Sequence, residues 1–226
     1  MKKIISLLSF FIMTISITAA PTDTITRSLE DFHALVVFGN IKVEMRKAET
    51  NSLTMYSHYY DIAKVTTMVV KGILQLKSNA IGDEKEVIVK LFYKNIDDLK
   101  VDAGANIVKT DSIIVEDLHI KVTKGSLCRM LIRAQKLDVE INQGSEFRAY
   151  GSAKNISVVS NSGALFDCYS LITNNAEIRA NTGGKINIFV KDKITAFSKT
   201  GSIINYKGKP KIESVDPSMG GTINKL

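Results

Sequence analysis

Histidine and cysteine are scarce in this 226-residue chain, which holds three of the first and two of the second. His33, His58 and His119 are scattered and give no zinc spacing. No serine is flanked by glycines on both sides as in a nucleophile elbow; "NQGSEF" and "NSGALF" both fail that pattern. Basic residues interleaved with aromatics are missing as well. The longest basic feature is "YKGKPK" near the C-terminus, which argues against nucleic acid as a partner. No stretch has helical periodicity, and nothing in these patterns calls for a cofactor or a metal.

The first twenty residues pose a separate problem. Lys2 and Lys3 precede an uncharged apolar run from Ile4 to about Thr18, then Ala19 and Ala20, and Pro21, Thr22 and Asp23 end the run. This is the pattern of a secretory signal peptide, residues 1–19, cut between Ala19 and Ala20 with Ile17 and Ala19 as recognition residues. The run is too short and too abruptly ended for a membrane anchor. No cysteine follows it, so it is not a lipoprotein signal. Export implies the periplasm, the outer-membrane surface or the extracellular space, with no transmembrane segment in the mature chain. Loss of Lys2 and Lys3 takes the basic count from 30 to 28 against 23 acidic residues, so net charge falls from +7 to +5.

What is present is a repeat. Gly104, Gly125, Gly144, Gly163, Gly183, Gly201 and Gly220 are spaced by 21, 19, 19, 20, 18 and 19 residues. Five residues before each glycine stand Leu99, Ile120, Val139, Val158, Ile178, Ala196 and Val215. Three after it stand Ile107, Cys128, Phe147, Phe166, Ile186, Ile204 and Ile223. Between these apolar columns lie polar ones, such as Asp98, His119, Asp138, Ser157 and Glu177 at six before. A period of two means strand, and a glycine can take the corner. Residues 99–226 therefore read as six or seven coils of a right-handed parallel β-helix, all-β, with about 19 residues per coil. Asn142, Asn161 and Asn181, two before the glycine, are expected to form an amide ladder. Cys128 and Cys168 fall in different columns two rungs apart, too far for a disulfide, and are expected to be buried free thiols.

Residues 20–98 keep strand character but lose the register. "HALVVFGNIKVEM" holds two strands around Gly39, "SLTMYSH" one, "TTMVVKGILQLKS" a hairpin turning at Lys71 and Gly72, and "KEVIVKLFY" another; "YYDIAKV" suits one helical turn. These segments read as irregular first coils and an N-terminal β cap continuous with the helix, since terminal repeats must protect the open end.

"FHALVVFGNIKVEM", "VVKGILQLKS" and the rungs "VDAGAN", "SNSGALF" and "NYKGKP" together resemble the auto-transporter adhesin head GIN domain family. The resemblance covers nearly the whole mature chain. It implies an exported β-helical protein of a bacterial envelope with an adhesive role, and it supplies no catalytic or ligand residues.

The candidate binding surface is therefore read from the outward columns. Asp98, His119 and Asp138 stack in successive rungs, beside Lys100, Lys121, Glu140 and Arg179 two residues on. Such a stack could hold Ca²⁺ or face an acidic sugar; equally, it is a solvated face on which opposite charges pair. Tyr59 and Tyr60, with Tyr56 and His58, form an aromatic cluster that could meet a sugar or simply pack the cap. Connections between rungs gain or lose only one or two residues, so no cleft wall sets two carboxylates across a glycosidic bond. The expectation is a non-catalytic module presenting an extended surface to a glycan or an envelope or host protein, with self-association open. A polysaccharide lyase or hydrolase is one alternative, and a structural spacer or self-assembling rod the other.

Overall fold

The computed structural model describes residues 24–226; the expected signal peptide and its cleavage site lie outside the described residues. The cap region contributes eight short strands: β1 (Thr24–Ser28), β2 (Ala34–Phe38), β3 (Ile41–Lys47), β4 (Ser52–Tyr56), β5 (Thr66–Val70), β6 (Ile73–Lys77), β7 (Val87–Tyr93) and β8 (Asp98–Asp102). Five long bent strands follow: β9 (Asn106–Val122), β10 (Leu127–Ile141), β11 (Glu146–Ser160), β12 (Leu165–Ala180) and β13 (Lys185–Ser198). The chain closes with β14 (Ile203–Lys207), β15 (Ile212–Pro217) and β16 (Thr222–Lys225). From β8 onward every pairing is parallel, giving a β-solenoid of about seven turns.

The glycine spacing sets the rungs. Residue pairs Leu118↔Leu137, Leu137↔Ile156, Ile156↔Ala176 and Ala176↔Ile194 align one inward column through five rungs. Val139, Val158, Ile178, Phe147 and Phe166 are buried as expected, and the Phe147 and Phe166 rings stack with centroids 5.5 Å apart. At the corner the residue before the glycine also takes positive φ, as in Gln143 (56°) and Gly144 (67°), the pair of left-handed residues that a type I′ turn needs. Each such turn hydrogen-bonds to the next: the Gly125, Gly144 and Gly163 amides donate to the carbonyls of Gln143, Ser162 and Thr182 at 3.0, 3.1 and 3.1 Å.

Side-chain amides lock the same register. Asn161 Nδ2 donates to Asn142 Oδ1 and Asn181 Nδ2 to Asn161 Oδ1, both at 2.9 Å, so the expected ladder is present. A second ladder, in the column four after the glycine, runs from Asn224 to Asn205 to Asn187 at 2.9 Å per step and ends on the Asp167 carboxylate at 3.1 Å. Asn175 and Asn155 make a third contact at 2.9 Å. Cys128 and Cys168 are free and buried, and burial pushes both thiols far above their ordinary pKa.

One outward and one inward assignment differ in degree. Asp138, Ser157, Arg148 and Asp167 are half-buried rather than open, because each is flanked by the same column in the rungs above and below. Val215, expected inward, is 43% exposed, since β15 pairs with β13 alone and no further strand covers it among the described residues.

The cap explains why the register fails before Gly104. β2 pairs in parallel with both β6 and β8, and β3 with both β7 and β9. The coil built from β2 and β3 therefore sits between the later coils β6–β7 and β8–β9, so chain order is not spatial order. Antiparallel β1, β4 and β5 lie outside these coils. The β5–β6 hairpin turns at Lys71 and Gly72, and Ile62–Lys64 forms one 3₁₀ turn capped by Asp61, as expected.

Two glycines separate conformational from steric demand. A Cβ on Gly144 would meet nothing within 4 Å, whereas one on Gly151 (φ 108°) would stand 2.1 Å from the Ile132 carbonyl oxygen. Gly144→Ala should cost about 1 kcal/mol of unfolding free energy, and Gly151→Ala roughly 3 kcal/mol or more, because the backbone of the neighbouring rung must move. Urea denaturation of the two variants checks the difference; equal losses would mean the corner at Gly151 is not packed against its neighbour.

Candidate functional site

β8, β9 and β10 bring the outward charges together. Asp98 is in register with His119, and His119 with Asp138; in the adjacent column Lys100 aligns with Lys121, and Lys121 with Glu140. The stack lines an open groove of about 450 Å³ floored in part by Val159. Charges pair across the rungs: Lys121 Nζ donates to both Glu140 oxygens at 2.9 Å, and His119 Nδ1 lies 3.2 Å from Asp138 Oδ2. Lys136 Nζ also reaches Asp138, at 2.9 Å, and Asn142 Nδ2 donates to Glu140 at 2.7 Å. Of the paired charged side chains His119 is 53% exposed, Glu140 44% and Asp138 28%, so water reaches each of the three. Among the described residues no group of three or more His, Cys, Asp or Glu side chains is arranged to hold a metal ion.

The other candidates lie elsewhere. Arg179 is separated from Glu140 in its column by Val159, pairs with Glu177 at 2.6 Å and covers the Phe197 ring at 5.6 Å. Tyr59, 72% exposed, is in the loop after β4 with its ring 6.3 Å from that of His58, while Tyr60 packs against the core. Five of the eight candidate residues thus share one groove, and Arg179, Tyr59 and Tyr60 do not line it.

One charged group inside the solenoid escapes the sequence pattern. Lys109, five after Gly104, occupies the inward column filled by Met130, Ala149, Cys168 and Ile188 in later rungs, and it is 3% exposed. An irregularity in β9 after Lys109 places Asp111 at the surface, where its carboxylate meets Lys109 Nζ at 2.7 Å. The ammonium also lies 5.2 Å from the centre of the Tyr93 ring, whose buried hydroxyl has no hydrogen-bond partner. Burial pushes the Lys109 pKa down, against the opposing pull of Asp111, and burial with the Asp111 charge drives that of Tyr93 up. An apolar column containing one lysine was the available signal.

With the geometry in place, the chain can be set beside known proteins. Residues 31–210 match the family described as "Putative auto-transporter adhesin, head GIN domain". No curated protein matches the chain. Among solved structures, a putative adhesin from Bacteroides fragilis superposes with a TM-score of 0.81 at 18% identity, over 92% of this chain and 98% of that one. A putative adhesin from Parabacteroides merdae gives 0.72 at 16% identity, over 91% and 96%. A putative lipid binding protein from Parabacteroides distasonis gives 0.67 at 15%, also over 91% and 96%. At these identities the structures establish a shared fold.

Lys109→Met, matching the Met130 column, should leave stability unchanged or raise it by about 1 kcal/mol, since a buried ammonium gives way to apolar packing while the Asp111 carboxylate left behind is at the surface in water. Between the lowered folded pKa of Lys109 and its unfolded value of 10.5 the unfolded chain binds more protons, so the group's contribution to stability grows as pH rises through that window. The advantage of Lys109→Met should accordingly shrink toward pH 10. Urea titrations at pH 7 and pH 10 check both; a clear destabilisation at pH 7 would show that the Lys109–Asp111 pair supports the fold.

Proposed function

Because the chain belongs to the family described as putative auto-transporter adhesin, head GIN domain, we propose that it is an exported, non-catalytic binding module whose mixed-charge groove receives a polar polymer, a surface glycan in the first instance. The observation that carries this reading is the groove itself: charges of both signs presented one per rung, at the ~4.8 Å spacing of hydrogen-bonded strands, on a face open along the solenoid. Chemistry on a glycosidic bond ordinarily draws on enclosure and water exclusion around the reacting atoms. The half-exposed His119 and Glu140 and the partly exposed Asp138 offer instead hydrogen bonds to an extended ligand. Solenoids provide such surfaces by repetition. A role at the cell surface or in the periplasm accords with export, and the family description accords with adhesion.

Glycan arrays and pull-downs with the exported protein, followed by assays for reducing ends and unsaturated products, test the proposal. Binding without turnover is expected. Asp138→Asn with Glu140→Gln should weaken it about tenfold, as the loss of one charge-assisted hydrogen bond would. Turnover abolished by His119→Ala or Asp138→Ala would replace this reading with the polysaccharide-active enzyme, and binding untouched by the double variant would move the ligand off the groove.

A further inference from the structure

The chain's net charge is modest, yet the fold collects its excess on one side. Each rung from β10 onward passes through a middle segment, residues 131–136, 150–155, 169–175, 189–193 and 207–211, between the stretch that follows one corner and the stretch that leads to the next. The register Arg133↔Ser152, Ser152↔Ile172, Ile172↔Phe189 and Phe189↔Lys207 stacks these segments into one continuous surface. It carries eight basic side chains, Arg133, Lys136, Lys154, Lys191, Lys193, Lys207, Lys209 and Lys211, all exposed, against a single acid, Asp192, a surplus of seven. The preceding rung bounds it with Asp111, Glu116 and Asp117. Among the described residues only Lys136 of the eight has a carboxylate within 4.0 Å, the Asp138 of the groove.

Apolar side chains are interleaved with these cations. Tyr150 is 45% exposed and Ile172 42%, while Leu131, Tyr169 and Phe189 are half-buried beside them; Lys207 lies 4.5 Å over the Tyr169 ring. The groove face shows the opposite habit, with charges paired across rungs. Like charges on neighbouring strands repel, and exposed aliphatic groups gain nothing from water, so this side lacks within the chain the counterpart that both its features call for.

We propose that this side of the solenoid docks on an anionic membrane surface, the cations meeting lipid headgroups and Tyr150, Ile172 and their neighbours entering the boundary between headgroups and acyl chains. Charge complementarity selects an anionic partner. The aliphatic content selects a bilayer over an anionic polysaccharide, because Ile172 and Leu131 can be buried in an acyl boundary and have no counterpart in a sulfated or carboxylated chain. Docked in this way, the protein would lie along the membrane with the mixed-charge groove on an adjoining face, still open to a ligand. The proposal is independent of what that groove binds.

The test is co-sedimentation of the exported protein with vesicles. Phosphatidylcholine vesicles are compared with equal mixtures of phosphatidylglycerol and phosphatidylcholine, at low and high salt. Binding to the anionic vesicles alone is expected, falling steeply with salt. Each cation near such a surface multiplies partitioning about fivefold, so Lys191→Gln, Lys207→Gln and Lys209→Gln together should reduce it roughly a hundredfold. Tyr150→Ser with Ile172→Ser should reduce it at least tenfold at unchanged charge. All five positions are on the surface, and unchanged urea midpoints verify folding. Equal binding to both vesicles, no vesicle binding, or anionic binding indifferent to either variant set would overturn the proposal. Retention on immobilised heparin that survives Tyr150→Ser and Ile172→Ser, with no vesicle binding, would identify an anionic polymer as the occupant instead.

Discussion

The parallel hydrogen-bond register between rungs decides which side chains meet in this protein, and the other features depend on it. A slip of one residue would carry Val139 and Phe147 outward and Asp138 and Arg148 inward. Three devices hold the register against that slip. The apolar columns must face the core, the paired left-handed residues at each corner bond to the corner above, and the asparagine amides join rung to rung at 2.9 Å. The first device acts through burial. The other two act through geometry that a slipped rung could not reproduce.

A solenoid converts sequence period into surface character, because residues one period apart become neighbours. Charges that look well mixed along the chain are sorted by this rule into faces. Asp98, His119, Asp138, Lys121 and Glu140 meet in one groove, where Lys121 pairs with Glu140 and His119 with Asp138. The lysines of "FVKDK" and "YKGKP", far apart in sequence from Arg133 and Lys154, are brought to the same side as these two. Net charge along a sequence is therefore a poor guide to the field of a β-solenoid, and the column is the unit to count.

The regular coils were legible in the sequence because their period is carried by redundant signals, glycine, inward hydrophobes and asparagine together. The cap was legible only as strands. Its coil β2–β3 lies between two coils made later in the chain, a spatial order that no local pattern encodes. The non-glycine half of each corner was also invisible, since Ala103, Lys124, Thr182 and Met219 carry no preference for positive φ that composition would reveal. The charged stack of the groove followed from column alignment and is in register as expected. The separation of Arg179, Tyr59 and Tyr60 from it depends on side-chain direction and on the path of the loop after β4. Lys109 shows the limit of a column argument: one lysine in an apolar column reaches its partner only because β9 is irregular after it.

The most direct test of the account is a cross-link between rungs. His119 is exposed, Asp138 is partly exposed and the two are adjacent across β9 and β10, whereas Val139 faces the core. His119→Cys with Asp138→Cys should form an intramolecular disulfide on mild oxidation of the folded protein, and His119→Cys with Val139→Cys should not. Bridging in the second pair and none in the first would place the rungs out of register and remove the basis of both the groove and the basic face.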